Sequence, residues 1–114
     1  MTRLALLGVA ALAVFTAHSG PARVGVLARE FHLVLSRSSV KAGPVVIELQ
    51  NGGEDVHDLR LRRIGGTRTY EIPLTRPGAR STRSLRLLPG RYLLWCSVAD
   101  HAQLGMRAVL RVRR

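Results

Sequence analysis

After residue 22 the chain alternates apolar and polar side chains with period two, and no later stretch holds a 3.6-residue period. Successive side chains of a strand point to opposite faces, so the pattern fits strands that bury one face and fits helices badly. Phe31, Leu33 and Leu35 alternate with His32, Val34 and Ser36. Val45, Ile47 and Leu49 alternate with Val46, Glu48 and Gln50, and Leu59 and Leu61 with Arg60 and Arg62. Tyr70, Ile72 and Leu74 follow, then Leu85 and Leu87, Tyr92 and Leu94, and finally Ala108, Leu110 and Val112. Turn residues punctuate these runs at Ala42-Gly43-Pro44, Asn51-Gly52-Gly53, Gly65-Gly66, Arg76-Pro77-Gly78 and Pro89-Gly90. About seven short strands at this spacing predict an all-β protein, an antiparallel β-sandwich.

Length and composition narrow the class further. The 114 residues leave room for one small domain, which excludes a multidomain enzyme. With 46% apolar and 22% charged residues, the chain is too apolar for a disordered tail and too charged for a membrane bundle. A single cysteine excludes an intrachain disulfide framework, a cysteine-based zinc cluster and a two-cysteine copper centre.

The beginning of the chain reads as an address. Met1-Thr2-Arg3 is a short positive start, and Leu4 to Ala17 carries no charge, too short a run to span a bilayer comfortably. Small residues allow cleavage after Ser19 or after Ala22, so residues 1–22 are expected to be a secretory signal peptide and 23–114 the folded domain. An uncleaved N-terminal anchor is the alternative, and either places the domain outside the cytoplasm, in the periplasm or beyond. A lone thiol in such an oxidising compartment is buried and inert, paired between chains, or a metal ligand.

Strand parity favours the last of these. His57 shares the parity of Leu59 and Leu61, Cys96 that of Tyr92 and Leu94, and Met106 that of Ala108, Leu110 and Val112. All three therefore aim inward near strand ends. In "CSVADHAQLGM", Cys96, His101 and Met106 form C-x4-H-x4-M, a spacing that leaves one helix face and suits a loop folded around something. Two imidazoles, a thiolate and a thioether are the ligand list of a blue-copper site, a trigonal His2Cys plane with a weak axial Met. The soft sulfurs favour Cu(I) and imidazole suits Cu(II), whereas zinc would prefer stronger ligands than Met. Taken singly, Cys96 could be an inert thiol, Met106 core filler and His57 a satisfied strand-end histidine; His101 has no evident structural demand for imidazole. His32 reads as a surface residue, His18 as part of the leader and Trp95, of opposite parity to Cys96, as a packing residue.

Residues 29–114 resemble the cupredoxins, the small type 1 copper proteins of the plastocyanin and azurin kind. The carriers are "SVKAGPVVIELQNGGEDVHDL" (39–59) and "PGRYLLWCSVADHAQLGM" (89–106). The resemblance implies a Greek-key sandwich of seven to eight strands with one copper ion near one end. It implies His57, Cys96 and His101 as equatorial ligands, Met106 as the axial one, and electron exit through the edge of His101. Ala99, Ala102 and Leu104 are candidates for an apolar docking patch around that edge. Two features depart from the family: four residues separate Cys96 from His101 where plastocyanins typically have two, and Asp58 stands where an Asn often braces the ligand loop. The expected function is a non-enzymatic electron carrier; the alternative is a trafficking or storage protein holding Cu(I) in the same site.

Eighteen Lys and Arg against seven Asp and Glu give a formal charge of +11. Arg60, Arg62, Arg83, Arg107, Arg111 and Arg113 fall on outward parities, which suits docking to an acidic redox partner or an anionic membrane surface, or merely solvates the strand faces. Nucleic acid is discounted, because an exported chain with 4% aromatic residues offers few stacking platforms. A monomer is expected.

Overall fold

The computed structural model of the protein describes residues 1–14 and 20–114. The small-residue positions Ala17 and Ser19 of the expected cleavage motif, and His18, lie outside the described residues. Residues 1–14 form no helix or strand, and Leu4, Leu6 and Leu7 are almost fully exposed.

Nine strands follow: β1 (Ala22–Arg29), β2 (His32–Leu35), β3 (Ser39–Lys41), β4 (Gly43–Asn51), β5 (His57–Arg63), β6 (Thr69–Thr75), β7 (Arg80–Leu87), β8 (Gly90–Trp95) and β9 (Arg107–Arg113). They form two sheets in the orders β2-β1-β4-β7 and β3-β9-β8-β5-β6. The β-sandwich is as expected, with two corrections. Among the described residues there are nine strands rather than seven or eight, because β1 and β3 were not among the alternating runs. Both sheets are mixed rather than antiparallel, because β1 runs parallel to β4 and β3 parallel to β9. β1 does alternate, with Val24, Val26 and Ala28 buried, but it begins inside the stretch that reads as a leader and so escapes a strand reading.

Inward residues of the two sheets build the core. Ile47, Leu49, Leu59, Leu61, Leu94 and Leu110 are fully buried. Each such side chain contributes roughly 1.5–3 kcal/mol through removal from water. Two residues read as inward, Leu74 and Phe31, are not buried. Leu74 is 64% exposed while Thr75 is buried, because the β5–β6 register shifts between His57↔Thr75 and Leu59↔Ile72. The extra β6 residue of this bulge turns Thr75 inward in place of Leu74. Phe31 lies in the β1–β2 turn, before β2 begins, and is 39% exposed.

The register also defines two ends. The loops 29–32, 51–57, 75–80 and 95–107 lie together at one end; the connections 41–43, 63–69 and 87–90, the start of β1 and the C-terminus lie at the other. All four singled-out donor residues belong to the first end.

Candidate metal centre

His57 opens β5 and is delivered by the 51–57 loop, which side chains from elsewhere hold in shape. Asn51, 1% exposed, donates from its amide to the carbonyls of Asp55 at 2.7 Å and Thr75 at 2.8 Å, and its Oδ1 accepts the Gly53 N–H at 2.9 Å. From the β1–β2 turn, the Glu30 carboxylate accepts the amides of Glu54 at 3.0 Å and Asp55 at 2.7 Å. Its Oε1 also lies 2.9 Å from His57 Nε2. The Asp55 amide foremost, helped by Glu54 and His57 and opposed by partial desolvation, holds the Glu30 carboxyl down at about 2. Gly53 leaves room for this clamp, since a Cβ there would collide with the carboxylate.

The second segment is closed by its own backbone. Cys96 N donates to Met106 O at 3.1 Å, Met106 N to His101 O at 3.0 Å and His101 N to Val98 O at 3.0 Å. Within it lies one helical turn, α1 (His101–Leu104), where a loop was expected. Gly105 ends that turn at φ 129°, and a Cβ there would sit 2.7 Å from the Phe31 carbonyl oxygen. Asp58, 4% exposed, braces the segment from β5: its Oδ1 accepts the Ser97 amide at 2.6 Å and its Oδ2 the Ser97 hydroxyl. A carboxylate thus performs the bracing for which the resemblance suggested an amide, and Arg60 Nε stands 3.5 Å from it.

These segments bring His57, Cys96 and His101 together, all buried, with one ligand atom of each within 4.8 Å of the others. Cys96 Sγ lies 3.7 Å from His57 Nδ1 and 3.7 Å from His101 Nδ1. Met106 is fully buried and joined through its backbone to both Cys96 and His101. Strand parity had placed three of these, His57, Cys96 and Met106, as inward-facing, and all three are buried; His101 came from the C-x4-H-x4-M spacing alone.

The donor chemistry of this cluster fits a cation. Glu30 can only accept from His57 Nε2, and Asp55, 3.5 Å from His101 Nε2, can only accept from that ring. The His57 ring, held by Glu30 at Nε2, thereby presents the lone pair of Nδ1 to Cys96 Sγ, and the His101 ring brings its own Nδ1 to the same distance from that sulfur. An ion bound at ~2.3 Å to sulfur and ~2.0 Å to nitrogen in a trigonal plane separates those atoms by ~3.7 Å. Burial pushes the Cys96 thiol up from its ordinary range, so a bound ion would have to displace its proton. His101 packs against Phe31 and His57, with ring centroids 5.3 and 5.0 Å away.

Glu30, Asn51 and Asp55 were not singled out as site residues. Asn51-x-Gly53 carried a turn signal that its buried side chain explains. Glu30 carried none, being 27 positions from the histidine it orients.

No family model and no curated protein sequence matches the chain. Solved structures do. An auracyanin from the photosynthetic bacterium Roseiflexus castenholzii superimposes with a TM-score of 0.66 and 15% identity, covering 83% of this chain and 100% of its own. Auracyanin A, a blue copper protein from Chloroflexus aurantiacus, gives 0.64 and 17%, covering 82% and 100%. A purple cupredoxin from Nitrosopumilus maritimus gives 0.56 and 14%, covering 77% and 97%. The class is thereby defined: the chain has the cupredoxin fold.

Proposed function

We propose that the chain is an exported type 1 copper protein that carries single electrons between redox partners. The observation that carries this reading is the convergence of two imidazole Nδ1 atoms on one buried thiol, each at 3.7 Å, at one end of a cupredoxin sandwich. His57, Cys96 and His101 would hold the ion, with Met106 supplying a weak thioether donor. Bound copper would supply a centre that accepts and releases one electron.

The chain's own residues do the rest. Glu30 keeps the His57 ring in the tautomer that presents Nδ1, and Asp55 places a negative charge 3.5 Å from Nε2 of His101. Two loops fixed by side-chain and backbone hydrogen bonds hold the donors with little freedom to rearrange, which favours fast exchange between oxidation states. Ala99 and Leu104 are exposed and Ala102 half-buried beside His101, an apolar surface suited to a partner's approach. One cysteine and three histidines beyond the leader leave no donors for a second copper cluster, so no bond-making chemistry is proposed.

Export rests on the positive start and uncharged run of the first 22 residues. Because β1 begins at Ala22, paired with Val45, removal after Ser19 would leave that strand whole. Voltammetry of the copper-loaded protein tests the function. A reversible one-electron wave with fast self-exchange supports the carrier; binding restricted to Cu(I), with transfer of the ion to an acceptor chelator, contradicts it and supports trafficking.

A further inference from the structure

The seven acidic residues are not spread over the sandwich. Glu30, Glu54, Asp55, Asp58 and Asp100 lie at the end that bears the histidine–cysteine cluster. Glu48 and Glu71 sit midway along β4 and β6, and these two pair with Arg80 and Arg60. The opposite end carries no Asp or Glu side chain. There the ends of β3, β8 and β9 carry Lys41, Arg91, Arg113 and Arg114, and the β5–β6 connection carries Arg63 and Arg68, all exposed. None of these six pairs with a carboxylate among the described residues.

We propose that this basic end docks on an anionic lipid surface and holds the metal-cluster end away from it. The proposal does not depend on which ion the cluster binds. Three observations favour a bilayer over an acidic protein. The first is the absence of any acidic residue on the surface. A lipid surface requires only a positive field, and no neighbouring carboxylate among the described residues neutralises any of these six cations. Second, Ile64 and Leu88, 56% and 62% exposed, stand among the arginines and can enter a headgroup layer. Third, β1 starts at this end, so the exposed uncharged segment that includes Leu4, Leu6 and Leu7 reaches the body here.

Full-length protein sedimented with large vesicles tests this. The vesicles are phosphatidylcholine alone, or phosphatidylcholine with phosphatidylglycerol at about seven parts to three, in about 0.1 M salt. Insertion of the apolar segment contributes to both and cancels in the ratio of affinities. The wild type is expected to prefer anionic vesicles by at least about 100-fold, at about fivefold per basic side chain near the surface. The triple variant Arg91→Gln, Arg113→Gln, Arg114→Gln should lose most of that preference. The triple variant Arg29→Gln, Arg76→Gln, Arg107→Gln, equal in net charge but altered at the cluster end, should keep it within about threefold. Equal losses in the two triples, or no preference in the wild type, would overturn the proposal. Binding to polyglutamate that needs Arg91, Arg113 and Arg114, without preference for anionic lipid, would also overturn it and make the partner an acidic protein.

Discussion

The two segments that deliver the metal donors are built on opposite plans. Residues 96–106 bring three donors within eleven positions and close on themselves through backbone hydrogen bonds from Cys96 to Met106 and from Met106 to His101. Residues 51–57 bring one, and their shape depends on side chains: Asn51 from the end of β4 and Glu30 from a turn 27 positions away. A self-closed segment tolerates change in its surroundings, whereas a segment clamped from outside transmits any change in the clamp to its ligand. Single substitutions should expose that difference.

The largest effect is expected inside the self-closed segment, at the donor that faces both histidines. Cys96→Ser should abolish stoichiometric copper retention after dialysis, because a hydroxyl replaces the only charged donor; a variant that keeps wild-type affinity would contradict the assignment. Next comes the clamp. Glu30→Ala releases His57 Nε2 and two loop amides together, and loss of such an orienting partner typically costs about 10–100-fold in metal affinity. A competition titration against a chelator reads this directly. An unchanged affinity would show that His57 is held by packing alone.

Asn51→Ala strands two carbonyls and one amide, of which the Thr75 carbonyl is buried. It should lower unfolding stability by about 2 kcal/mol in urea even without metal, since orphaned buried groups cost roughly 1–3 kcal/mol. The smallest effect is expected for Asp58→Asn. The amide oxygen can still accept the Ser97 N–H, so stability should fall by less than about 1 kcal/mol, while Asp58→Ala should cost about twice as much. Equal losses for the two would mean that the charge, not the hydrogen bond, holds the Cys96 segment.

The same contrast explains what could be read from the sequence. C-x4-H-x4-M is legible because its contacts are local, and inward parity at His57 is legible because Leu59 and Leu61 alternate with Arg60 and Arg62 just after it. The Glu30 clamp is invisible: a glutamate in a turn looks solvated until the fold carries it to the 51–57 loop. β1 was hidden by the leader-like residues before it, and the parallel pairings β1·β4 and β3·β9 leave no mark on a single strand's alternation. Leu74 was misassigned because a bulge changes parity without changing residue type. Asp58 was correctly placed beside the first histidine, but only the structure shows its carboxylate accepting both the amide and the hydroxyl of Ser97.

The most direct test of a His57–Cys96–His101 copper plane is the visible spectrum of the full-length protein on addition of one equivalent of Cu(II). The account predicts an intense thiolate-to-copper charge-transfer band, absent in Cys96→Ser and altered in Met106→Ala. A colourless wild-type solution in which Cys96 still reacts as a free thiol would contradict it.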